Sequence, residues 1–181
     1  MELPIIQPIS KEVLKSELTP DKQLRMTNKS NNEIYIITAH NAPNVMKEIG
    51  RLREIAFREA GGGTGKDMDI DEFDICENCY KQLIVWNPED EEIIGGYRYL
   101  LGTDWQYDEK GQPILATSHM FHFSEKFLKE YALTCLMPSF LQAASLSRTS
   151  DRLRVVLAAM LIVRLLPRAW RNSSGVLTVN S

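Results

Sequence analysis

RLREIAFREAGGGTGKDMDIDEFDICENCYKQLIVWNPEDEEIIGGYRYLL, residues 51–101, passes from helix to turn to hairpin within fifty residues. Leu52, Ile55 and Ala56 continue an apolar stripe begun by Val45 and Ile49, at the three- and four-residue spacing of one buried helix face. Asn41 or Asn44 is the expected N-cap, and Gly61-Gly62-Gly63 the end. Tyr80–Trp86 and Ile93–Leu101 read as strands, and Pro88-Glu-Asp-Glu91 between them makes an antiparallel hairpin. Working outward, Glu33–Thr38 is β-branched and aromatic, a further strand, and Ile114–Phe123 another. Ser124 caps a short helix over Glu125–Tyr131. Residues 1–30 read as a loosely structured lead-in with one short helix, Lys11–Glu17. The expected fold class is α/β, a mixed central sheet flanked by helices.

With 181 residues, 25% of them charged and 44% hydrophobic, the chain suits one soluble domain. A formal charge of −3 carries no nucleic-acid signature. Residues 1–19 hold prolines at 4 and 8 and no apolar core of a secretory leader. Cys76, Cys79 and Cys135 are therefore expected as reduced thiols in a cytoplasmic setting. The mean hides an internal step. Residues 134–181 hold six arginines, no lysine and one acid, Asp151, for a formal charge of +5. Residues 1–133 hold 15 basic side chains against 23 acidic ones, for −8. The expected division is a lead-in over 1–30, the α/β domain over 31–133, and an atypical Arg-rich tail over 134–181. The tail is divergent or translated from a shifted frame, with Asp151–Leu166 helical.

Five carboxylates within eight residues, Asp67, Asp69, Asp71, Glu72 and Asp74, repel one another and call for a cation or arginines. Calcium is disfavoured, since the glycine position of an EF-hand loop is Glu72 and its closing glutamate position is Asn78. Arg53 and Arg98 are the natural countercharges, Arg98 in an apolar strand where an unpaired guanidinium would be costly. Phe73, an aromatic among acids, folds the loop back onto the body. A solvated acidic loop and a purely structural ion-pair network are the plainer alternatives.

Ala60-Gly-Gly-Gly-Thr-Gly-Lys66 approaches a phosphate-binding loop, but its first glycine is alanine and Asp67 replaces the Ser/Thr. Arg58-Glu-Ala-Gly61-Gly-Gly63 fits R-x-x-G-x-G, yet it closes a helix, and a helix C-terminus repels anions. Both are read as a C-cap and flexible turn. Cys76-Glu-Asn-Cys79 is half a zinc site without a second half, so no metal is expected.

In order, Arg53-Glu-Ile-Ala-Phe57, Asp69-Ile-Asp71-Glu-Phe-Asp74 and Gly95-Gly-Tyr-Arg98-Tyr-Leu-Leu101 resemble the acyl-carrier-protein-dependent N-acyltransferases. These are GNAT-like enzymes that acylate ornithine or glycine and are similar to the acyl-homoserine-lactone synthases. The resemblance covers residues 34–131. It implies transfer of a long acyl chain to the amine of a small amino acid, in N-acyl amino acid or aminolipid synthesis. The donor would be acyl carrier protein, through its phosphopantetheine thioester, or acyl-CoA, with no bound cofactor; a peripheral membrane contact stays open.

The resemblance makes Asp69 the candidate base, with Asp71, Asp74, Arg53 and Arg98 holding the acceptor and shaping the loop. Phe57, Trp86 and Tyr97 would line the acyl channel, with core packing as their alternative. The family's E-L-x-R motif is absent after Tyr131, where Ala132-Leu-Thr-Cys-Leu-Met-Pro-Ser139 has neither acid nor arginine. Helix or irregular structure is therefore expected after Leu133, with the sheet incomplete at the C-terminus. Rival readings are an acetyl-CoA-dependent N-acetyltransferase and an inactive fold that only binds a partner.

Overall fold

The computed structural model describes residues 2–28, 30–118 and 121–131 and two short strands, 136–139 and 177–179. The chain runs α1 (Lys11–Glu17), β1 (Gln23–Met26), β2 (Glu33–Ile37), α2 (Pro43–Glu59), α3 (Glu72–Ile75), β3 (Lys81–Asn87) and β4 (Glu92–Leu101). It continues through β5 (Phe121–Phe123), α4 (Glu125–Tyr131), β6 (Leu136–Ser139) and β7 (Leu177–Val179). Five strands form one sheet in the order β1-β2-β3-β4-β6, and β5 pairs with β7. All of these pairings are antiparallel, so the expected mixed sheet is corrected for the described strands.

Alternation along the strands splits the core. Tyr35, Ile37, Ile84, Trp86 and Ile93 face the helices and pack with Leu14 of α1 and Val45, Met46 and Ile49 of α2. Ile34, Leu83, Val85 and Tyr99 form a layer on the opposite face. A third cluster, Tyr80, Leu100, Trp105, Leu115, Phe123 and Phe127, takes in Phe73 from the acidic loop, whose ring meets Tyr80 edge-on at 6.0 Å.

The hairpin is not in simple register. Val85 pairs with Gly95 but Trp86 with Ile93, so β4 carries one extra residue at Ile94. Such a bulge reverses which side chains face the core. It brings Ile93 and Arg98, five residues apart, onto the same side of the sheet.

α2 starts at Pro43 after Ala42, with neither Asn41 nor Asn44 as cap. Its N-terminal donors instead reach across to α1, where the Glu17 carboxylate accepts from the amides of Asn44 and Val45, each at 2.9 Å. An anion on a helix N-terminus is favoured by the macrodipole, and a cap of this kind is worth about 1 kcal/mol. Ser124 does cap α4, accepting from the Phe127 amide at 3.2 Å.

Residues 2–26 are not a loose lead-in. Beyond α1 and the edge strand β1, the amides of Leu3 and Ile6 donate to the carbonyls of Gly65 and Asp67, at 2.9 and 3.1 Å. The Ile9 amide donates to the buried Glu48 carboxylate at 3.1 Å. Of the strand expected over Ile114–Phe123, Phe121–Phe123 is β5, whereas residues 114–118 form a turn, in which the Ser118 hydroxyl and amide bring the chain back onto Pro113 and Leu115.

The expectation of helix or irregular structure after Leu133 is corrected at two places. β6 pairs with β4 from Arg98↔Ser139 to Leu101↔Leu136, and β7 pairs with β5. Pro138 is tolerated because β6 ends the described sheet, where a missing donor breaks no inner ladder. The helix expected over Asp151–Leu166 lies outside the described residues.

Candidate active site

The acidic loop lies along α2 and is held by successive turns of that helix. At the far end, α2 closes in a Schellman motif: the Gly61 amide donates to Arg58 O and the Gly62 amide to Phe57 O, with Gly61 at φ +79°. The turn that follows was expected to be flexible, but Glu54 organises it. This carboxylate is fully buried, and accepts from the Thr64 hydroxyl at 2.6 Å, the Thr64 and Gly65 amides at 3.1 and 2.9 Å, and Arg58 Nε at 2.8 Å. The amides that a phosphate would need are thus already bound to an anion. Arg58 also donates to the carbonyls of Leu3 and Lys66, closing the N-terminal segment over the loop.

Burial pushes the Glu54 carboxyl up, but the bonds from Thr64, Arg58 and Gly65 outweigh it and hold the group at about 2. A depressed acid contributes stability that is present above its unfolded value and is lost as pH falls through the folded one. Glu54→Gln is therefore expected to flatten the loss of thermal stability between about pH 4.5 and pH 2, the span set by the ordinary and folded values. Melting curves across that window check it; a Glu54→Gln curve parallel to the wild type would remove Glu54 as the source.

The acids that follow meet both arginines. Arg98, on β4, grips Asp71 with two bonds of 2.8 Å, and its Nη1 lies 3.0 Å from Asp74. Arg53, on α2, donates to Asp74 at 2.9 Å. Gln82, on β3, donates to the other Asp74 oxygen at 2.9 Å. Asp71 and Asp74 also bond each other's amides in a capping box that starts α3, the short helix concealed in the acidic run. The Tyr80 ring sits under the Arg98 guanidinium at 5.2 Å.

Exposure separates these residues by role. Asp74 is fully buried and the Arg53 and Arg98 side chains are 7% exposed, whereas those of Asp69 and Asp71 are 14% and 36% exposed. Asp69 stands apart in its bonding as well. Its carboxylate lies 3.2 Å from Arg53 Nε, yet that nitrogen makes no hydrogen bond, so the contact is charge without directed bonding.

Their acidities diverge accordingly. Burial raises the Asp69 carboxyl, the charge of Arg53 pulls it back, and the charge of Asp74 helps leave it above the ordinary aspartate value. Burial opposes ionisation of Asp71 too, but the Arg98 bonds prevail and its carboxyl is lowered. Burial works against the Arg98 charge and the aspartates more than restore it, so the guanidinium stays charged.

The structure therefore unites Asp69, Asp71, Asp74, Arg53 and Arg98, with Phe57 one turn beyond Arg53 on α2. It does not bring Trp86 or Tyr97 to them. Trp86 is 3% exposed in the core beneath the helices, and Tyr97 is on the other face of β4 from Arg98 and meets the Tyr99 ring at 6.3 Å. Sequence reading missed Glu54, Gln82 and Tyr80. Tyr80 and Gln82 flank the start of β3 beside the acidic loop, a position that could have flagged them. Glu54 had no such signal. No group of three or more His, Cys, Asp or Glu among the described residues could hold a metal ion, and no described helix is long and apolar enough to cross a membrane.

A buried acid–arginine network thus joins the sheet, α2 and the acidic loop. The chain belongs to the GNAT acetyltransferase family, whose Acetyltransferase (GNAT) domain profile matches residues 52–149. It is similar to the glycine N(alpha)-acyltransferase of Bacteroides thetaiotaomicron, 77% identical over 127 residues, which is 70% of this chain and 38% of that protein. The glycine N(alpha)-acyltransferase of Phocaeicola vulgatus is 75% identical over 127 residues, again 70% of this chain, and 39% of its own length. The matched stretch thus spans less than two fifths of either relative. No solved structure matches the chain.

Proposed function

We propose that the chain transfers a long fatty acyl group from the phosphopantetheine thioester of acyl carrier protein to the α-amine of glycine. The acceptor follows the names of the two relatives. The observation that carries the chemistry is the bonding of Asp69: its carboxyl is raised, and it makes no directed side-chain hydrogen bond among the described residues. A base needs a free lone pair and a proton affinity above that of an ordinary carboxylate.

Asp74, Arg53, Arg98 and Gln82 are the internal brace. Both guanidiniums are committed to aspartates, so the network presents oxygen atoms to an acceptor. Asp71 receives the incoming ammonium, and Asp69 takes its proton directly or through water. The neutral amine attacks the thioester carbonyl, the tetrahedral intermediate collapses, the C–S bond breaks, and the pantetheine thiol leaves with a proton. The free thiols of Cys76 and Cys79 fit a reducing, cytoplasmic setting.

The test is thiol release by the full chain from a long-chain acyl carrier protein or acetyl-CoA, with glycine or ornithine as acceptor. Turnover is expected with the acyl carrier protein and glycine. Turnover with acetyl-CoA alone would overturn the donor, preference for ornithine would overturn the acceptor, and absence of turnover from a folded sample would leave a binding protein.

A further inference from the structure

We propose that Gly50 is a positioning residue for this reaction: it is the notch in α2 that seats the Asp69–Ile70 peptide and so determines where the Asp69 carboxylate lies. The proposal rests on Asp69 acting as the base.

Three observations converge on it. The Asp69 amide donates to the Gly50 carbonyl at 2.9 Å, the one point where the acidic loop bonds to the main chain of α2 mid-helix. Gly50 is buried, and a Cβ built on it would stand 2.6 Å from Cγ1 and 3.0 Å from Cδ1 of Ile70, and 3.3 Å from the Asp69 carbonyl oxygen. The first distance is closer than real Cβ atoms come, so with any side chain here Ile70, and the loop that carries it, has to shift. Third, the carboxylate itself is not tied: its contact with Arg53 lacks hydrogen-bond geometry. Asp71 and Asp74 are placed by their own bonds. Asp69 inherits its place from its main chain, and its main chain rests on Gly50.

Gly50 also precedes Arg53 by three residues, one turn of the same helix. One rigid element therefore sets both sides of the Asp69–Arg53 contact. The charged groups that act on Asp69 are Arg53 from α2, Arg98 from β4, and Asp71 and Asp74 at the start of α3. All but Asp69 are cross-linked to one another, so displacing the Asp69–Ile70 peptide moves Asp69 relative to a fixed set of charges.

Gly50→Ala, Ile70→Ala and the double variant decide the matter through carboxyl-carbon NMR titration of Asp69, its signal identified by its loss in Asp69→Asn. In Gly50→Ala the methyl lifts the loop, Asp69 gains water, and its midpoint falls toward that of an ordinary aspartate. Removing Cγ1 and Cδ1 in the double variant returns the midpoint to the wild-type value. Alanine is the better helix former, so α2 itself is not weakened. In the acyl-transfer assay, Gly50→Ala loses kcat by roughly 10²-fold, the scale of a 1 Å misplacement, with KM for the acyl donor unchanged, and the double variant regains it.

A folded Gly50→Ala chain with the wild-type Asp69 midpoint overturns the proposal. Should that variant not fold, the double variant decides: a wild-type midpoint supports the notch, and a shifted midpoint or failure to fold overturns it. Midpoints that move as expected support the notch even if no variant, wild type included, transfers an acyl group; that result would overturn the acyl-transfer reading instead.

Discussion

Asp69→Asn is expected to lower kcat for acyl transfer by roughly 10²–10⁴-fold, the usual contribution of a positioned base, while leaving the protein at least as stable at neutral pH. The two halves of this expectation have one cause. Burial raises the carboxyl, and Arg53 only partly offsets it. An acid whose folded value is raised costs stability when ionised, so the penalty applies above the folded value and disappears below the unfolded one. A neutral amide removes it. The same shift moves the acid limb of the kcat profile above the ordinary aspartate value of about 3.9. Rates and melting temperatures of the two proteins across pH check both halves. Wild-type turnover in Asp69→Asn would take the residue out of the mechanism, and a large drop in melting temperature would make it structural.

Asp74→Ala is expected to destabilise the fold by about 3–5 kcal/mol, the cost of stranding a buried charge. Two guanidiniums, each 7% exposed, would lose a shared counter-ion, and Gln82 and the Asp71 amide would lose their acceptor. At this chain length the loss corresponds to a fall in melting temperature of roughly 10 °C. The control is Lys81–Asp104, 3.4 Å apart with both side chains 36% exposed, where Lys81→Ala is expected to cost about 0–1 kcal/mol. Urea or thermal unfolding measures both. Similar losses in the two variants would show that water reaches the network and screens it.

What was read from sequence had local causes. Lys11–Glu17 and Glu125–Tyr131 were placed to the residue, and α2, β2, β3 and β4 to within a residue or two. Period 3.6, period 2 and the glycine stop are properties of neighbours along the chain. The pairing of Arg98 with Asp71 and Asp74 was also legible: a charge in the apolar Gly95–Leu101 run and the acids before Cys76 need each other wherever the chain goes. The same residues lie inside the span 52–149 that the family profile matches.

What the sequence left open depended on which distant segments meet. The bulge at Ile94 decides that Arg98 points toward Asp71 and Asp74; simple alternation from Ile93 would have turned it to the other face. The same reversal separates Tyr97 from the site. Glu17 capping α2, Glu54 filling the Gly63–Lys66 turn, and Gly50 receiving Ile70 have no local signature. A buried carboxylate and a helical glycine are each unfavourable taken alone. Only the segments packed against them, α2 against Glu17, the Thr64–Gly65 turn against Glu54 and the acidic loop against Gly50, supply the donors and the close fit that make them favourable.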